Sequence, residues 1–261
     1  MFRRAFCALA PTALAVALTL GTTNIAQPAS ARELTVSAAI SLKDALDEIA
    51  RLYNTDQPGV AVRFNLGSSG TLQRQIEQGA PVDIYISASP KEVDSLESQG
   101  LLLPGSRRNL AKNAVALIVP VGRTAISDFQ DLTKPAAKVI AIGEPQTVPA
   151  GKYAKEALTH FGLYDAIKLK LVLAKDVRQV LTYVETGNAD AGIVYATDAK
   201  GSKKVSIVAT APQGSHSPVI YTAAVIKNSA NAADAMKLLE FLAGEKARAV
   251  FQKCGFIPAA N

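Results

Sequence analysis

Apolar positions along this chain recur at two spacings, every second residue and every third or fourth, and the two spacings alternate. Residues 33–38 alternate weakly and are rich in β-formers, which predicts a first strand. After Ser41, the residues Leu42, Leu46, Ile49, Ala50 and Tyr53 fall on one helical stripe. Ser41 with Asp44 three residues on reads as a capping box. The succession then repeats. Residues 60–66 alternate as a strand, and a helix beginning at Ser69 runs to Glu77 before Gly79-Ala80-Pro81 stops it. Residues 82–88 read as a buried strand, and Pro90 opens a helix at its first position that ends by Gly100. Three strand–helix alternations predict a parallel sheet with right-handed crossovers.

A change of domain is expected near Asn113, where the long apolar strand 114–121 begins. A short helix at 127–132, a strand at 138–142 and a Gly/Pro-rich turn at 143–151 follow, leading into a helix at 152–161. Residues 167–173 read as a strand, and Lys175-Asp176 caps a helix at 177–185 with Val177, Val180, Leu181 and Val184 on one stripe. Residues 191–194 form a strand with Tyr195 at its carboxyl end, where sites in open sheets are built. Strands at 205–209 and 219–226 are joined by a polar connection, 212–218, the second expected crossing between domains. Helices at 232–243 and 245–252 end the chain, and there is no internal repeat or low-complexity tract.

The first 31 residues break this pattern. Arg3 and Arg4 precede an apolar run at 8–20 too short to span a membrane, and Ala29-Ser30-Ala31 fits a signal-peptide cleavage site, so the mature chain is expected to start at Arg32. General export is favoured over the twin-arginine route, and Cys7 lies too early to be a lipid-anchor cysteine, which predicts a free soluble protein beyond the inner membrane. Losing Arg3 and Arg4 lowers the net charge from +6 to +4, a mild excess without a basic tract, which argues against a nucleic-acid partner. Cys254 is then the one cysteine left, so no internal disulfide is available and the core must hold the fold, which a full sequence of 49% apolar residues, leader included, makes feasible.

Candidate chemistry concentrates at four strand-to-helix turns, marked by Ser41, Ser69, Ala150 and Val177. Such turns present unpaired helix-start N–H groups and the positive end of the helix dipole to an anion; they serve equally as ordinary caps. Ala150 and Val177 can donate only from the backbone, and Tyr195 is either packed on a sheet edge or adds a phenol. Nucleophilic catalysis lacks a base: His160 and His216 are the only histidines, and neither sits at a turn. No GxSxG elbow or Walker-type loop occurs, and scattered histidines with a lone cysteine leave no bare-cation site. Neutral donors without an acceptor suit a fully deprotonated tetrahedral dianion, because a protonated oxyanion such as hydrogen phosphate needs a carboxylate to take its proton. Asp176 and Glu144 are the nearest carboxylates; Asp176 is read as capping its own helix and Glu144 as a loop residue.

Four segments together resemble the periplasmic molybdate-binding proteins of ABC transporters, and the similarity covers essentially the whole mature chain. They are Ser37-Ala38-Ala39-Ile40-Ser41-Leu42, the run from Gly67-Ser68-Ser69-Gly70-Thr71 through Pro81-Val82-Asp83-Ile84, Val148-Pro149-Ala150-Gly151-Lys152-Tyr153, and Gly192-Ile193-Val194-Tyr195. The resemblance implies an α/β, two-lobed periplasmic-binding-protein fold of type II, each lobe a mostly parallel sheet flanked by helices, with two crossover segments. It places molybdate or tungstate against Ser41, Ser69 (Ser68 is the register alternative), Ala150, Val177 and Tyr195, with no cofactor and with a membrane permease as partner. Lobe I is expected at 32–113 plus 215–261 and lobe II at 114–214, in a monomer. Two departures stand out: Ile40 where the family usually has a small residue, and Gly70 where some members carry serine. The alternatives are a binding protein for another oxyanion such as sulfate, an enzyme acting on phosphorylated or sulfated substrates, and a ligand-sensing regulator; the last is disfavoured by the signal peptide and the lack of a DNA-binding segment.

Overall fold

A computed structural model describes residues 32–259, so the expected signal peptide lies outside the described residues. In chain order the elements are β1 (Arg32–Ala39), α1 (Lys43–Asp56), β2 (Val60–Gly67), α2 (Ser69–Glu77), β3 (Ile84–Ser87), α3 (Pro90–Ser98), β4 (Arg108–Asn113) and β5 (Val115–Pro120). Then come β6 (Ile140–Gly143), α4 (Pro149–His160), α5 (Tyr164–Ile167), β7 (Leu171–Ala174), α6 (Val177–Glu185), β8 (Ala191–Tyr195), α7 (Ala196–Lys200), β9 (Val205–Thr210), β10 (Val219–Val225), α8 (Ala232–Ala243), α9 (Glu245–Cys254) and β11 (Ile257–Pro258). Two sheets result, ordered β11-β4-β10-β3-β1-β2 and β7-β6-β8-β5-β9, and each with its helices forms one lobe of a two-lobed α/β fold.

Burial follows position in the sheet. Three of the interior strands, β3, β6 and β8, are buried at every residue, and apart from Ser87 their sequences are apolar runs. β2 and β7 are edge strands and keep exposed positions; β2 alternates in and out along most of its length. The helices bury the stripes their sequences carry: Ala45, Leu46, Ile49 and Tyr53 in α1, and Val177, Val180, Leu181 and Val184 in α6.

Both sheets are mixed, not mostly parallel as expected. β1 pairs in parallel with β2 and β3, but β10 is antiparallel to β3 and β4; β6 pairs in parallel with β7 and β8, but β5 is antiparallel to β8 and β9. The crossings explain this. β4 runs toward the other lobe and passes through Ala114 straight into β5, which therefore enters its sheet from the end where β8 finishes. β9 returns the chain through residues 211–218 into β10 in the same way. A strand arriving from the facing lobe must run against the strands whose carboxyl ends point at that lobe.

Local expectations also differ in several places. The segment read as a strand from 167 becomes one only at Leu171, after α5 and a 3-10 turn at Lys168–Lys170. The helix expected from 152 starts at Pro149, so Ala150 lies within its first turn. Ser41 and Asp44 form no capping box: Ser41 sits in a 3-10 turn, Ile40–Leu42, ahead of α1, and no side chain caps either helix.

Gly151 lets the start of α4 sit on the end of β6. A Cβ at 151 would lie 1.9 Å from the carbonyl oxygen of Gly143, a backbone atom that cannot move aside cheaply. Gly151→Ala is therefore expected to lower stability by about 3 kcal/mol or more, beyond the usual overpacking cost, measured by urea unfolding; a loss below about 0.5 kcal/mol, the level of a surface change, would contradict this packing.

Candidate functional site

The carboxyl ends of the parallel strands in the two lobes face each other, and the helix starts that follow those strands meet between them. Ser41 follows β1, Ser69 opens α2 after β2, and Ala88 follows β3; across the gap Ala150 lies in the first turn of α4, Val177 opens α6 after β7, and Tyr195 ends β8. All five sequence-predicted site residues line one small, tightly closed pocket, together with Ala39, Ile40, Gly67, Ser68, Ala88, Val148 and Pro149. No residue of this lining is charged. The space is too small for a sugar or nucleotide and suits a compact guest.

The two serines of the hydroxyl-rich turn are oriented by neighbours. Ala88 N–H donates to Ser69 Oγ at 3.0 Å, which leaves the serine hydrogen free to point elsewhere. The carbonyl of Ser69 accepts from the Tyr85 hydroxyl at 2.8 Å. Ser68 Oγ donates to Thr71 Oγ1 at 2.8 Å, so its hydrogen is already used. As first-turn amides, those of Ser69, Ala150 and Val177 have no acceptor within their own helices. Asp176, as expected, caps α6 by accepting from Gln179 N–H at 2.9 Å, and Glu144 accepts from Gln146 N–H; neither lines the cavity. Tyr195 is 1% exposed, and its hydroxyl has no hydrogen-bond partner among the described residues. Burial pushes this phenol well above its usual range, with the oxygens of Tyr221 and Tyr153 adding to the shift, so it stays a neutral donor.

Sequence reasoning missed a buried polar shell behind the wall. Ser41 Oγ lies 2.9 Å from the Tyr221 hydroxyl, and Asn113 Nδ2 donates to Tyr221 and to Thr197. Tyr221 looks like any aromatic of a buried strand, and its partners lie 180 and 108 residues away, so no local pattern marks it. Behind Tyr195, its backbone N–H donates to Asp198 Oδ2 at 3.3 Å. Asp198 Oδ1 stands 3.2 Å from Arg178 Nε without hydrogen-bond alignment, and Arg178 reaches Asp44 of the other lobe at 2.6 Å. Arg178 directly follows Val177, so this charge pair across the lobes sits next to a cavity amide. Gly70, expected as a missing hydroxyl, instead makes a lobe contact: its N–H donates to the Thr147 carbonyl at 3.0 Å, and a Cβ there would lie 2.8 Å from that oxygen. Among the described residues no group of three or more His, Cys, Asp or Glu could hold a metal ion, and no helix is long and apolar enough to cross a membrane.

Two lobes joined by two crossings, with an uncharged donor-lined cavity where they meet, define a binding protein of the type II periplasmic class. The chain belongs to the family of bacterial extracellular solute-binding proteins, whose family model matches residues 34–257. It is 44% identical over 224 residues to a putative ABC transporter substrate-binding lipoprotein, YvgL, of Bacillus subtilis, with 85% of each chain covered. It is 38% identical over 249 residues to the molybdate-binding protein ModA of Haemophilus influenzae, covering 94% of this chain and 97% of that one. The solved substrate binding domain of a putative molybdenum ABC transporter from Clostridium difficile matches with a TM-score of 0.69 at 42% identity, over 87% of this chain and 99% of that one. Family and relatives are solute-binding proteins of transport systems, and the chain is not an enzyme.

Burial pushes Asp198 up to about 7, with Arg178 pulling the other way. Its folded pKa thus lies above the unfolded value of about 4, and the folded state holds a proton the unfolded chain has lost. The stability this carboxyl contributes is full below about pH 4 and is lost as pH rises to about 7. Wild type should therefore lose stability relative to Asp198→Asn across that window in denaturant titrations; a pH-independent difference, or one of opposite slope, would contradict the assignment.

Proposed function

We propose that this protein binds molybdate, and tungstate with it, outside the inner membrane and delivers it to the membrane permease of an ABC transporter. The observation that carries the reading is the Tyr195 hydroxyl, buried at the cavity without a partner. A guest with oxygen acceptors on every side would satisfy it. Ser41 and Ser69 hydroxyls, the amides of Ala150 and Val177, and the Tyr195 phenol are the ligand-binding groups; Ser69 is preferred to Ser68, whose hydrogen goes to Thr71.

The charge pattern supports a dianion that carries no proton. Every group offered is a donor or can become one, and no carboxylate borders the cavity to receive a proton from hydrogen phosphate. Each charge-assisted bond from a neutral donor contributes about 1.5–3 kcal/mol net, so five or more could give sub-micromolar affinity after association costs of several kcal/mol. Relatives named for molybdate or molybdenum, similar over most of this chain, point to the same oxyanion. The metal arrives as cargo inside its oxyanion, so no resident cofactor is needed.

Lobe I comprises residues 32–113 and 215–261 and lobe II residues 114–214. The ligand bridges them, favours closure, and converts occupancy into a shape the permease can read. The working form is a soluble periplasmic monomer released by removal of residues 1–31, with no nucleic-acid partner.

Isothermal titration with molybdate tests this on wild type, Ser69→Ala and Tyr195→Phe. Each variant is expected to lose about 1–3 kcal/mol of binding free energy, and excess sulfate should leave the wild-type isotherm unchanged. Undiminished binding in both variants would misplace the site, and sulfate competing on equal terms would replace the ligand.

A further inference from the structure

The contact between Ser41 Oγ and the Tyr221 hydroxyl, 2.9 Å long and fully buried, has no direction of its own, since either oxygen can donate. Asn113 supplies the direction. Its Oδ1 accepts from Ala114 N–H at 2.9 Å, which fixes the amide so that Nδ2 faces away from that amide. Nδ2 then spends one hydrogen on Thr197 Oγ1 at 2.8 Å and the other on the Tyr221 oxygen at 3.3 Å. A phenol oxygen that accepts here passes its own hydrogen onward, and the acceptor in reach is Ser41 Oγ. With its oxygen occupied, Ser41 has its hydrogen left for the cavity it lines.

We infer that Asn113 and Tyr221 are positioning residues that hold Ser41 as a donor into the cavity and so select an oxyanion without a proton. The inference rests on the reading of Ser41 as a molybdate contact. It also gives the two serines one logic by different means. Ser69 is polarised by a main-chain amide, that of Ala88, whereas Ser41 is polarised through two side chains. Asn113 is the last residue of β4, immediately before the chain crosses to the other lobe, and Thr197 belongs to that lobe. The direction of the Ser41 hydroxyl is thereby tied to the point where the lobes join. The Tyr221 ring is held edge-on between Tyr195 at 6.0 Å and Phe256 at 5.3 Å, so its hydroxyl has little freedom to swing away.

Asn113→Asp reverses the chain with almost no change of shape. A carboxylate only accepts, so Tyr221 turns its hydrogen to residue 113, Ser41 donates to Tyr221, and a serine lone pair faces the guest. Molybdate titration of the full mature protein should show an affinity loss of about 100-fold, the weight of one strong charge-assisted bond. Adding Tyr221→Phe frees Ser41 while the new carboxylate stays, and should restore about tenfold or more of that loss, a non-additive result that charge repulsion or a packing defect would not produce. A double variant no tighter than Asn113→Asp, or an Asn113→Asp protein that binds like wild type, overturns the inference. Should Asn113→Asp fail to fold, Tyr221→Phe alone decides. Its preference for molybdate over hydrogen phosphate should fall by about fivefold or more, because a released Ser41 can accept the phosphate proton, and an unchanged preference overturns the inference. Wild type that binds no molybdate would instead sink the functional reading on which the inference stands.

Discussion

A buried hydroxyl that meets no partner costs a folded protein about 1–3 kcal/mol, and the rest of this architecture is arranged around one such group. The Tyr195 phenol is shut away from water and left unpaired at the meeting point of two lobes. Around it stand helix-start amides that their own helices cannot satisfy. The strand order brings these groups together: parallel strands in each lobe end facing the other, and the two crossings enter each sheet as antiparallel strands so that those ends stay aligned. Glycines at 143, 151 and 70 allow the backbone contacts that bring the helix starts close enough to share one small guest.

Charge is kept one layer back. Arg178, Asp198 and Asp44 link the lobes behind Val177 and Tyr195, and Asp176 is turned to its own helix, yet no ionised side chain borders the cavity. Neutral donors can hold an anion through directed hydrogen bonds and helix dipoles instead of a counter-charge. A wall of this kind would discriminate by protonation state and size, where an arginine cluster would draw in anions at large. The charged layer behind can still favour the joined arrangement of the lobes, since Arg178 reaches Asp44 only when they meet.

Much of this was legible in the sequence because it is local. The stripe of Val177, Val180, Leu181 and Val184 announces α6, and Asp176 announces its start. The Gly/Pro-rich turn before Ala150 and the hydroxyl-rich turn at Ser69 mark helix starts by composition alone. What stayed hidden depends on distant partners. β4 reads Arg-Asn-Leu-Ala-Lys-Asn, with no apolar alternation to separate it from a loop, and becomes a strand because β10 and β11 pair with it. Ser41 has the spacing of a capping residue with Asp44, but Tyr221 takes its hydroxyl and Arg178 takes the carboxylate. The mixed sheets escaped for a similar reason: alternation of strands and helices reports neighbours along the chain, while strand direction at a crossing is set by the facing lobe.

The function proposed for this protein requires that uncharged N–H and O–H groups alone cage a doubly negative guest between the lobes. A crystal structure of the molybdate complex, with the metal located by its anomalous scattering, tests it most directly. Molybdenum is expected between Ser41, Ser69, Ala150, Val177 and Tyr195, with every close contact to its oxygens coming from a backbone amide or a hydroxyl. Molybdenum bound elsewhere, or a lysine, arginine or carboxylate side chain in contact with its oxygens, would contradict it.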